Sequence, residues 1–129
     1  MMCEDLYNSI LNRYDKKYIQ KNLTTQCSSS SDGNFFVIND YKKKVSLAIF
    51  FDESYKDDEK IYAEFVKVNH ILAWNLKASE VRVDDQKIIH ILIRILNGKR
   101  YSKSDKKYFS ENMVPLFLGS NFEKMQKKY

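Results

Sequence analysis

The residues best suited to chemistry are two histidines, two cysteines and one run of acids. His70 and His90 are the only histidine bases a serine-type triad could use, and no Gly-x-Ser-x-Gly turn presents a nucleophile to either. Zinc is held by Cys and His grouped a few residues apart. Cys3, Cys27, His70 and His90 each stand far from the next along the chain, so no metal site is expected. The acids Asp52, Glu53, Asp57, Asp58 and Glu59 could gather a divalent cation, with Asp52, Glu53 and Asp57 best placed for a metal-dependent nuclease. They lack the ligand spacing of a calcium loop, however, and the neighbouring strand carries no Glu-x-Lys after an Asp. An acidic loop that caps a helix accounts for them more simply. Gly33, Gly98 and Gly119 are too scattered to let a backbone cradle a phosphate. No cofactor is expected, and enzymatic activity is not the leading reading.

The last quarter of the chain is different in kind. Over residues 1–96 Lys and Arg balance Asp and Glu at 14 each, so the whole net charge of +5 falls in residues 97–129. Lys99, Arg100, Lys103, Lys106 and Lys107 interleave there with Tyr101, Tyr108 and Phe109, and Lys124, Lys127 and Lys128 extend the basic run. Lysines neutralise phosphates, and aromatic faces stack on unpaired bases. Lys outnumbers Arg 18 to 4, so bidentate readout of base edges is not expected and binding should be largely indifferent to sequence. The leading expectation is a small binding protein whose basic C-terminal face engages nucleic acid or an acidic protein surface. Two other readings stand beside it. One is a protein-interaction module (an inhibitor, immunity protein, adaptor or complex subunit), working as a homodimer or hetero-complex and anchored by exposed aromatics or a hairpin edge. The other is the metal-dependent nuclease.

The remaining composition limits the setting. At 129 residues, with 43 % hydrophobic and 30 % charged side chains, the chain has the size and mix of one globular domain. No stretch approaches the ~20 apolar residues of a membrane helix, and the acidic start Met-Met-Cys-Glu-Asp is no apolar leader. An intracellular, cytoplasmic protein is expected (nuclear if the cell is eukaryotic), with Cys3 and Cys27 as reduced thiols. The wealth of Lys, set against only 8 Gly, Ala and Pro together, has the pattern of an AT-rich coding sequence.

The elements that must position these residues follow from periodicity. Leu6, Ile10, Leu11, Tyr14 and Tyr18 fall at helical spacing and predict one helix over residues 3–22. The polar stretch 24–33, with its serines Ser28–Ser31, predicts a flexible loop. Residues 35–38 and 45–51 read as an antiparallel hairpin that turns at Asn39–Asp40, with Lys42, Lys43 and Lys44 at its near end. Ile61, Phe65, Val68, Leu72 and Leu76 predict a long helix over 56–76, and residues 80–84 a short third strand. Residues 88–96 are β-branched enough for a strand, but Lys87, His90, Arg94 and Asn97 recur on one helical face. A buried helix over 85–97, ended by Asn97–Gly98, is therefore expected. Ser102 should cap a short helix that ends near Met113. Pro115 suits a first helical turn, and 121–129 reads as a basic helical tail. The sum is a helix-rich α+β domain.

Overall fold

The computed structural model describes residues 2–30, 33–51, 71–76 and 86–116. Within them the chain has the α+β architecture expected: helices packed on a mixed five-stranded sheet. The elements are α1 (Met2–Leu11), α2 (Lys16–Asn22), β1 (Leu23–Ser30), β2 (Gly33–Asp40), β3 (Val45–Phe50), β4 (Ile71–Leu76), α3 (Gln86–Leu96), α4 (Lys103–Asn112) and β5 (Met113–Leu116). The sheet runs in chain order from β1 to β5, all neighbours antiparallel except the parallel pair β3 and β4.

The single helix expected over 3–22 is in fact two. Cys3, Leu6 and Ile10 are buried along one face of α1. Asp15 then takes extended backbone (φ −66°, ψ 137°), and its carboxylate accepts a bond from the Lys17 N–H at 3.4 Å. An Asp in that conformation satisfies an orphan donor and starts a helix afresh. The apolar stripe continues across the break because Tyr14 and Tyr18 stack, ring centroids 5.7 Å apart.

Of the stretch 24–33 read as a flexible loop, residues 24–30 are strand, since Leu23–Ser30 form β1, and Gly33 opens β2, while residues 31 and 32 lie outside the described residues. This strand pairs residue for residue with β2, from Leu23 opposite Asp40 to Ser30 opposite Gly33. At one end of the described sheet, small polar side chains need no core. The backbone ladder to an apolar neighbour supplies the order that composition hides.

The hairpin of β2 and β3 forms as expected, but its turn lies later. Asn39 and Asp40 belong to β2, Asp40 pairs with Val45, and Tyr41–Lys44 make the turn. Lys44 takes the left-handed conformation (φ 57°) within this turn. All six residues of β3 are buried, so the middle of the sheet is covered on both faces.

Residues 71–76 are strand β4, not the end of a long helix. The spacing that suggested a helix, Leu72 to Leu76, is an even number of residues and serves a strand face equally well. With Trp74 between them, all three are buried on β4. Pairing with β3, from Ser46 opposite Ile71 to Phe50 opposite Asn75, decides the matter. The rest of the expected helix, the acids at 52–59, His70, the expected strand at 80–84 and the tail at 121–129 lie outside the described residues.

Helix α3 matches expectation. Ile88, Ile89, Ile91, Leu92, Ile95 and Leu96 are buried, while Lys87, His90 and Asn97 are exposed. Gly98 (φ 67°) ends it, with its N–H on the Ile95 carbonyl and the Lys99 N–H on the Arg94 carbonyl. This pair of hydrogen bonds across the terminus needs the left-handed residue that glycine supplies without strain. Ser102 caps α4 by accepting the Asp105 N–H at 3.1 Å, as expected. Pro115 does not open a helix. It lies in β5 opposite Trp74, at the other end of the described sheet, where a strand tolerates a missing donor.

Candidate polyanion-binding surface

The β2–β3 turn rests on a polar footing. Asp40 is fully buried and accepts the Tyr18 hydroxyl at 2.7 Å and the Lys43 N–H at 2.9 Å. Beside it, Asn39 accepts the Ser46 hydroxyl and donates to Thr24 Oγ1 at 3.2 Å. The Tyr41 N–H reaches back to the Asn22 carbonyl at 2.9 Å. These bonds tie the turn to α2 and β1 and leave Lys42, Lys43 and Lys44 exposed. The Lys42 and Lys43 ammonium groups each lie 5.8 Å from the Tyr18 ring centroid, within cation–π range.

The same footing shifts two tyrosines. Tyr18 is pushed up from the ordinary value of 10.0 to about 12, first by burial, then by the bond its hydroxyl donates to Asp40 and by the Asp40 charge. Tyr14 is pushed up further, by burial and then by the charges of Asp40 and Tyr18. Both hydroxyls hold their protons more tightly in the folded chain than in the unfolded one. The unfolded chain therefore binds fewer protons at high pH, and stability falls as pH rises. For Tyr18 the contribution is whole below pH 10.0 and lost by about pH 12. Urea midpoints should fall across this window, and fall less in a Tyr18→Phe chain. Equal losses in the two chains would refute the assignment.

The turn meets the basic C-terminal segment through one contact. Lys43 Nζ donates to Asn97 Oδ1 at the end of α3, and Asn97 itself donates to the Ile93 carbonyl at 2.9 Å. Two and three residues further on, Lys99 and Arg100 are exposed, and Arg94 Nε holds the Arg100 carbonyl. Lys43 thus brings the exposed hairpin turn to the end of α3, two residues before the exposed Lys99.

Helix α4 carries a second basic face. Lys103, Lys106 and Lys107 are exposed and share one side at helical spacing. The opposite side packs inward through buried Phe109 and Asn112. There Asp105 lies 3.6 Å from Lys87 of α3. The aromatics interleaved with these lysines are part of this packing, buried Phe109 among them. Tyr101 is half-buried, 6.5 Å from Phe109, and the Tyr108 ring lies beneath the Lys87 ammonium at 4.9 Å. Lys124, Lys127 and Lys128 lie outside the described residues.

Of the basic residues singled out in the sequence, the described structure thus places five on the surface in two neighbouring groups. The turn lysines joined them unannounced. Three consecutive lysines at a hairpin end were the available signal, but nothing in the sequence said that this end would reach Asn97. Among the described residues no three His, Cys, Asp or Glu stand together as a metal site would require, and no helix is long and apolar enough to cross a membrane. Comparison with known protein families, curated proteins and solved structures finds no match to this chain.

Proposed function

We propose that this chain is a small, non-enzymatic, intracellular binding protein that engages a polyanion, nucleic acid first, without strong sequence preference. The observation that carries the reading is the contact of Lys43 with Asn97, which sets the turn lysines beside Lys99 and Arg100. Exposed cations from two segments of the chain then add to one another, and the α4 lysines extend the field. Ammonium groups act on phosphate as point charges, so they favour backbone contact over base readout. With Tyr101 and Tyr108 held in packing, charge rather than stacking supplies the affinity.

The test is a titration of the full chain against labelled single-stranded and duplex DNA by fluorescence anisotropy, at several salt concentrations. About five phosphate contacts should give a slope of log K on log salt near −4. No binding at low salt would overturn the nucleic-acid reading and turn the search to an acidic protein partner.

A further inference from the structure

Cys3 and Cys27, which nothing in the sequence brings together, meet in the fold. Their sulfurs stand 3.8 Å apart, not joined in a disulfide. Cys3 is fully buried on α1, and Cys27 is half-buried on β1. We infer that the two cysteines are a built site for a reversible intramolecular disulfide between α1 and β1.

The geometry rests on two matched spacings. Cys3 and Tyr7 are four residues apart on α1, so they share a face and are separated by about 6 Å of helix rise. Thr25 and Cys27 are two residues apart on β1, so they share a face at about 6.6 Å. The Tyr7 hydroxyl bonds to Thr25 Oγ1, and Cys3 Sγ faces Cys27 Sγ. The helix and strand thus run past each other with two side-chain rungs in step. The Tyr7–Thr25 rung holds the register while the sulfurs close to the covalent length of about 2.05 Å. Phe36, opposite Cys27 on β2 and fully buried, lies beside it on the same face of the sheet, with its ring 5.8 Å from that of Tyr7.

The chemistry is thiol–disulfide exchange with a small-molecule disulfide such as glutathione disulfide. The more accessible Cys27, as thiolate, attacks one glutathione sulfur. A Cys27–glutathione bond forms, and the first glutathione leaves as thiolate. The Cys3 thiolate then attacks Cys27 Sγ and expels the second glutathione thiolate. The two thiol protons end on the two glutathiones. The protein has given up two electrons, and the glutathione disulfide has taken them. Excess thiol reverses both steps.

The experiment treats the reduced, unaltered chain with glutathione disulfide, traps it with acid, and analyses intact mass and proteolytic peptides. The expected product has lost two hydrogens, remains monomeric, yields a peptide pair joined through Cys3 and Cys27, and returns to the reduced mass with dithiothreitol. The same reaction in denaturing urea gives the reference. A loop of this length already holds the thiols near one another in the unfolded chain, and native alignment should raise the ratio of cross-linked to singly glutathionylated product at least tenfold. Thiols that stay free, separate glutathione adducts, intermolecular dimers, or a native ratio no higher than that in urea would each overturn the inference. The readout uses the chain as it stands, so the result depends on no variant folding.

Discussion

Replacing Lys99, Arg100, Lys103, Lys106 and Lys107 together by Gln is expected to weaken nucleic-acid binding by about 10²-fold and to flatten its salt slope by about 2 to 3. All five side chains are exposed, and none is the cap of α4, which is Ser102. Gln keeps most of the helix propensity and length of Lys, so the variant should fold as the parent does. An unchanged thermal midpoint would confirm this. A second variant with Lys42, Lys43 and Lys44 changed to Gln should lose affinity as well, because these residues stand beside Lys99 and Arg100 across Asn97. Unchanged affinity and slope in the first variant would end the proposed function. A loss in the first and none in the second would confine the surface to the C-terminal segment and remove the turn from it.

Phe36→Ala should cost about 3–5 kcal/mol of stability, the largest effect of any single truncation proposed here. Phe36 is fully buried on β2, between Cys27 on β1 and Ile49 on β3. Its ring lies 5.8 Å from Tyr7 of α1 and 6.4 Å from Phe51 just beyond β3. Removing it opens a void where helix and sheet meet, bounded by backbone that the β1–β2 and β2–β3 ladders hold in place. The cavity therefore relaxes little, and the cost lies above that of transfer alone. For a chain whose total stability is of order 5–15 kcal/mol, this is a large part of the whole. Urea denaturation should show a lower midpoint with an unchanged slope. A loss below about 1 kcal/mol would mean that Phe36 is not packed as described.

The parts of the fold legible in the sequence were those where local chemistry and tertiary packing agree. α3 was readable because its polar residues mark one helical face, and its end because Asn97–Gly98 fits only one kind of terminus. Ser102 was readable as a cap for a similar reason. β1 was not, because its order comes from a neighbour: Thr, Gln and Ser become a strand when β2 lies beside them. β4 was misread because a spacing of four residues fits both periods, and the choice fell to pairing with β3. Asp15 was counted inside a helix, although a residue type that favours caps also splits helices. The candidate surface divides in the same way. Its C-terminal lysines stand out in the charge count, whereas the share from the turn depends on Lys43 reaching Asn97, a contact between residues 54 apart in the chain.

The buried carboxylate beneath the hairpin turn also bears on the entropy of association. Asp40 holds the Lys43 N–H from below and the Tyr18 hydroxyl from the side, and Tyr41 is tied to Asn22. The main chain that carries Lys42, Lys43 and Lys44 is thus already ordered before any anion arrives. Ordering such a segment on binding would otherwise cost roughly 1–2 kcal/mol per residue. Under the proposed function, a docking phosphate would have only the swing of the lysine side chains left to restrict, and the turn would act as a preorganised platform with mobile charges at its rim.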